Sequence, residues 1–145
     1  MPQPYTTISI EKRGQVDWLT LNRPEAMNSI SLEMVDDLND YFGKLYHDQS
    51  VRIVVMRGAG RAFCAGRDIS GVDPREDDVI GYLEGLIQPL MEQMSRFPAP
   101  TFAVAHGACL GVGLGLLIAS DVVYVADSAK IGSPFANLGA TLDSG

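Results

Sequence analysis

The chain has 145 residues, 46% of them hydrophobic and 20% charged, which suits one globular domain with a buried core. Its formal net charge of −7 argues against general nucleic-acid binding, which needs a basic footprint. The two cysteines, Cys64 and Cys109, have no His or Cys at metal-ligand spacing, so neither a metal site nor a disulfide framework is indicated and a reducing cytoplasm is the expected compartment.

The opening segment MPQPYTTISIEKRGQ is polar and has no basic region followed by an apolar one, so no secretory signal is read there. Residues 5–10 and 16–21 are rich in β-branched and aromatic side chains around Arg13-Gly14-Gln15, and predict a hairpin. After Asn22-Arg23-Pro24, Ser31 is placed to cap a helix whose apolar face is Leu32, Val35, Leu38, Phe42 and Leu45. Residues 51–57 form a short apolar run suited to a buried strand, and they lead into a glycine-rich loop over 58–66, a junction where α/β proteins place ligands.

Helical periodicity continues over 77–97, with Pro89 expected to break or kink the helix, or to open a second one, and Pro98-Ala99-Pro100 to stop it. The five residues from Pro74 to Asp78 look like a solvated loop. Residues 101–105 then predict a buried strand, 107–113 a loop, 113–120 a short apolar helix and 121–126 another strand. Taken as one piece, 101–120 has the length of a membrane helix, with Gly107, Gly111 and Gly115 at the spacing of a helix-dimer motif. His106 inside the run, Asp121 at its end and its four glycines favour the globular reading. The alternation of strand, loop and helix argues for an α/β fold with parallel strands.

Four segments, LNRPEAMNSIS at 21–31, GAGRAFCAGRDIS at 58–70, HGACLGVGLGLLIASDVVYVA at 106–126 and SAKIGSPFANLG at 128–139, occur in an order and spacing that resembles the crotonase (enoyl-CoA hydratase/isomerase) family. None completes a nucleotide-binding glycine pattern. The resemblance implies a spiral of ββα turns forming two nearly perpendicular sheets, an acyl-CoA thioester as substrate with no further cofactor, and assembly as a homo-oligomer, a trimer or dimer of trimers. It also implies that residues 1–145 are the N-terminal catalytic core, followed in relatives by a C-terminal helical subdomain.

By position, the resemblance assigns the two backbone N–H groups that hold the thioester oxygen to Arg67 and Val112. Preorganised amides aimed at a developing enolate lower its barrier by about 3 kcal/mol each. Ala65, Gly66, Asp68, Ile69, Gly111 and Phe135 line the implied coenzyme A and substrate site. The glycines there either let backbone approach a ligand or serve as ordinary turns. The Arg67 and Arg23 side chains are candidates for coenzyme A phosphates, with a solvated surface arginine as the alternative for both.

Where hydratases of this family carry two catalytic glutamates, this chain has Gly115 and Phe135, neither of which moves a proton. Asp143 instead falls where Asp-based isomerases of the family carry a functional carboxylate, and it is the expected base for shifting a double bond. A turn or helix-cap role is the alternative for Asp143-Ser144-Gly145. A loop-shaping hydrogen bond is expected from His106, backbone hydrogen bonds within its loop from Asp68, and orientation of a strand start from Asp121. A hydratase and a non-catalytic acyl-CoA-binding fragment remain alternatives to the isomerase.

Overall fold

The computed structural model of the chain describes residues 4–139. Strands β1 (Ile8–Arg13) and β2 (Val16–Leu21) form the antiparallel hairpin expected, turning at Gly14 with a φ of 64°. Helix α1 (Leu32–Leu45) follows, and the Ser31 hydroxyl accepts from the Met34 amide at 3.2 Å, which supplies the cap expected. Its buried stripe is Met34, Val35, Leu38, Tyr41, Phe42 and Leu45. Leu32, expected in that stripe, is exposed, because Met34 occupies the inward position one turn before Leu38.

β3 (Ile53–Gly58) lies parallel to β2, β4 (Thr101–Ala105) parallel to β3, and β6 (Val122–Val125) parallel to β4, giving a five-stranded sheet in the order β1-β2-β3-β4-β6. A second, smaller sheet pairs β5 (Ala108–Leu110) in parallel with β7 (Lys130–Gly132). The predicted loop at 107–113 therefore contains a strand. Helix α4 (Val112–Ile118) begins one residue before the position expected.

The two sheets are built by the same step repeated. The chain runs from β4 into β5 and from β6 into β7, each time crossing from the larger sheet to the smaller. After β3 the same crossing brings Cys64 into an isolated parallel bridge with Cys109 of β5. The result is the α/β fold of parallel strands that the sequence predicts, with two sheets wound by repeated crossings.

Over 77–97 the sequence predicts a helix that Pro89 breaks or kinks, or opens again as a second helix, and Pro89 does stand in the first turn of a separate helix. The chain forms α2 (Val79–Tyr82), a wider π-helical stretch over Leu83–Ile87, and α3 (Gln88–Ser95). Proline clashes with the carbonyl four residues back, here Gly85, and lacks an N–H to bond it. The wide turn, closed by Gln88 N–H on the Leu83 carbonyl, accommodates Pro89 without interrupting the helical course. The 101–120 run is divided among β4, β5 and α4, and no helix among the described residues is long and apolar enough to cross a membrane.

Candidate active site

Two peptide groups carry the site, and their directions follow from hydrogen bonds on their opposite ends. A trans peptide points its C=O and N–H in opposite directions. The Gly66 carbonyl accepts from Ile30 N–H at 2.8 Å, so the Arg67 N–H in the same peptide points away from Ile30. The neighbouring segments explain which way that is. Ala65 N–H donates to Met27 on the Ile30 side, whereas Cys64 exchanges bonds with Ala108 and Leu110 on the other. The Arg67 amide therefore faces the side where Leu110 and Gly111 lie.

The Gly111 carbonyl accepts from the Leu114 and Gly115 amides at 2.9 and 3.2 Å, pointing down helix α4. The Val112 N–H consequently points out of the helix N-terminus, where it has no intrahelical acceptor. Both peptides depend on glycine. Gly66 has a φ of 110° and Gly111 a φ of 54°, and a Cβ on Gly66 would stand 3.1 Å from the Leu110 carbonyl oxygen. A Cβ on Gly111 would lie 3.9 Å from Gly66 Cα and 3.6 Å from the Phe135 ring, so Gly66, Gly111 and Phe135 converge.

Gly113 sets the spacing between the two loops. A Cβ there would meet the Cys64 carbonyl oxygen at 2.5 Å, so α4 rests directly on the segment that leads to Gly66. Burial pushes the Cys64 and Cys109 thiols at this contact up to about 12, and both stay protonated at neutral pH.

The surrounding side chains hold the loops. His106 Nε2 lies 2.7 Å from the Gly60 carbonyl oxygen, the loop-shaping role expected. Asp68 accepts from the Ser70 amide and hydroxyl at 3.0 and 2.6 Å and from Arg23 at 2.8 Å, which together lower its pKa. Asp121 accepts from the Thr101 amide at 2.7 Å and so orients the start of β4, within the expectation for that residue. Arg23 also donates to the Ser29 carbonyl at 2.6 Å, so both ends of its guanidinium are engaged inside the protein. Ile69 is exposed and Ala65 partly buried beside them.

Arg67 differs from both readings given for its side chain. Instead of reaching for a phosphate or lying in solvent, it forms two parallel bonds of 2.7 and 2.8 Å to Asp77, and its guanidinium carbon lies 3.9 Å from the centroid of the Tyr82 ring. Asp77 had looked like part of a solvated loop. Asn28 was likewise missed, although it stands in the LNRPEAMNSIS segment: buried, it donates to the Ala59 and Ala62 carbonyls and accepts from the Arg23 amide, each at 2.8 Å.

One turn beyond Val112, Gly115 opens onto a groove of about 560 Å³ between the helices, walled by Leu83, Ile87, Met91 and Ile118 and bordered by Glu84 and Glu92. Asp143 lies outside the described residues. Among the described residues no cluster of three or more His, Cys, Asp or Glu side chains is placed to hold a metal ion.

Two outward-directed backbone amides and an apolar groove thus lie together in a fold built of two sheets and the helices between them. The chain belongs to the enoyl-CoA hydratase/isomerase family, whose model matches residues 11–145. It is 36% identical over 131 residues to 1,2-epoxyphenylacetyl-CoA isomerase of Escherichia coli (strain K12), covering 88% of this chain and 50% of that one. A probable enoyl-CoA hydratase of Rhodobacter capsulatus is 32% identical over 141 residues, covering 97% of this chain and 54% of the relative. The crystal structure of an enoyl-CoA hydratase from Bacillus anthracis superposes with a TM-score of 0.87 at 28% identity, covering 97% of this chain and 55% of that structure. The chain thus spans about half the length of these relatives.

Proposed function

We propose that this chain forms the thioester-binding part of an acyl-CoA isomerase, holding the thioester oxygen between the Arg67 and Val112 amides. The observation that carries the reading is the opposed anchoring of two neighbouring peptides: Ile30 holds the Gly66 carbonyl, helix α4 holds the Gly111 carbonyl, and each leaves its N–H directed outward. An enolate formed at such a site gains about 3 kcal/mol from each donor without any reorganisation at the moment of reaction. The dipole of α4 is short and adds modestly to the Val112 side.

The acyl chain enters the groove beside Gly115, where the absence of a side chain leaves room and supplies no proton carrier. The Asp143 carboxylate takes a proton from the α- or γ-carbon, the double bond moves as the enolate forms and collapses, and the Asp143 carboxyl, open to exchange with solvent, returns a proton to the other carbon. Support for isomerisation over hydration comes from Gly115 and Phe135, neither of which can activate water. The likeness to the E. coli isomerase agrees with this reading.

Asp143→Asn is expected to abolish double-bond migration, and deuterium uptake from solvent at the migrating carbons, while acyl-CoA affinity changes by no more than about 3-fold, since most binding energy lies in contacts remote from the carboxylate. Both are measured on the full-length protein, the second by calorimetric titration. Unchanged turnover in the variant removes Asp143 as the base, and loss of affinity alone would make it a structural residue.

A further inference from the structure

The peptide joining Gly66 to Arg67 has glycine on one side and a long, charged side chain on the other. Gly66 carries no side chain and sits at a φ of 110°, so rotation of this peptide meets little steric resistance on its glycine side. A flipped peptide would lose the 2.8 Å bond from Ile30 N–H and turn the Arg67 amide toward Ile30, away from Gly111. The bridge to Ile30, made by this bond and by Asp68 N–H on the Ile30 carbonyl at 2.9 Å, holds the backbone on either side of Arg67, and each such bond is worth about 1 kcal/mol net.

The second restraint is the far end of the Arg67 side chain. The guanidinium is fixed in its plane by two bonds to Asp77, and its face lies on Tyr82, which is buried. Only 22% of the Arg67 side chain and 15% of that of Asp77 are exposed, so water screens the pair less than it would an open surface pair. Tyr82 ends α2 and is followed directly by Leu83, which together with Ile87 walls the groove. Asp78, next to Asp77, caps α2 by accepting from the Gly81 amide at 2.9 Å. The same short stretch thus holds Arg67, starts the helix and lines the groove.

We infer that Asp77 is a positioning residue: by holding the Arg67 side chain against Tyr82 it fixes the Gly66–Arg67 peptide with its N–H toward the bound thioester oxygen, and it ties that orientation to the helix that lines the acyl groove. This rests on the reading of the Arg67 and Val112 amides as the carbonyl-binding pair. Asp77 reaches the reacting atoms only through Arg67. An acyl group that fills the groove stabilises the Leu83–Ile87 wall, and with it Tyr82, the stacked guanidinium and the amide direction, so a longer or better-fitting acyl chain polarises its own carbonyl more strongly.

The test is the absorption shift of a bound arylacryloyl-CoA thioester in the full-length protein, because such a chromophore moves to longer wavelength as its carbonyl is polarised. With the protein unaltered, a red shift is expected on binding. Asp77→Asn, which loses the charge and one of the two parallel bonds, is expected to lose at least about half of the shift with affinity within about 3-fold, since most binding energy lies in the groove and the nucleotide. Asp77→Glu is expected to restore most of it. Arg67→Lys, which keeps the charge and the backbone but not the fork or the stacked plane, is expected to behave like Asp77→Asn and serves if that variant does not fold. A full red shift in folded Asp77→Asn or Arg67→Lys overturns the inference while leaving the amide pair standing. Binding to the unaltered protein with no red shift overturns the amide pair itself, and the inference with it.

Discussion

Asn28 makes its contacts from a backbone conformation that most side chains avoid, with a φ of 54°. Asparagine tolerates the left-handed region better than most residues, and here its amide satisfies the Ala59 and Ala62 carbonyls and the Arg23 N–H at once. Replacing it by alanine leaves those three groups without a partner in a buried place and strains the turn. Asn28→Ala is expected to cost about 3 kcal/mol, read as a lower urea midpoint with an unchanged slope. The segment around Asn28 was legible as a family likeness, yet the role of the residue was not. Its acceptors are backbone carbonyls in a loop far along the chain, and no local spacing announces them. Asp77 was illegible for the same reason: its partner Arg67 lies ten positions before it, across a turn whose course the sequence does not dictate.

Helix α4 looks weak by propensity, since Gly113 and Gly115 fall within seven residues. Its glycines are explained by packing. Alanine at 113 would place a methyl 2.5 Å from the Cys64 carbonyl oxygen and 2.9 Å from Cys64 Cβ, and that carbonyl is held by Leu110 N–H. The clash outweighs the gain in propensity of about 1 kcal/mol. Gly113→Ala is therefore expected to lower the melting temperature and weaken acyl-CoA binding together. Gly85, where an added Cβ meets nothing within 4 Å, provides the contrast, and Gly85→Ala is expected to raise the melting temperature slightly. At this scale the sequence was informative wherever periodicity was regular, as in α1 and the β1–β2 hairpin. It was misleading at β5, whose three residues sit between glycines and read as loop, whereas at Pro89 the second helix does open, preceded by a π-helical turn that periodicity does not announce.

For the molecule as a whole, the class of fold was legible and the arrangement into two sheets came only with the family likeness, because strand order depends on pairings between remote segments. Its response to pH is set by groups of two kinds. Burial raises the Cys64, Cys109 and Tyr5 groups to about 12, and raises Tyr41 as well with Asp17 beside it. These groups hold their protons more tightly when folded, so their contribution is complete below their unfolded values near 9 to 10 and is lost as pH climbs through 12. Asp68 and Asp77 are lowered, by Ser70 and Arg23 for the first and by Arg67 for the second, so their contribution is present above about pH 4 and fades as pH falls further. Urea unfolding across pH is expected to show a plateau between about 5 and 9, with stability falling on either side. Thiol labelling under native conditions should be slow throughout the plateau, since both thiols are buried and protonated there.

The bridge between Cys64 and Cys109 also bears on the order in which the chain assembles. The β1–β2 hairpin closes through a short turn, whereas bringing Gly66 beside Gly111 requires the intervening helices to be threaded and β3 to have met β4. Contacts between such distant segments are slow to nucleate, so the donor pair matures late, after the hairpin and α1 have collapsed. What forms last in this way is also held least firmly against brief excursions of the native state, and amide exchange at Cys64 and Leu110 should outpace exchange in the centre of β2. A protein built so keeps its scaffold rigid on long timescales while the part that meets substrate breathes on shorter ones.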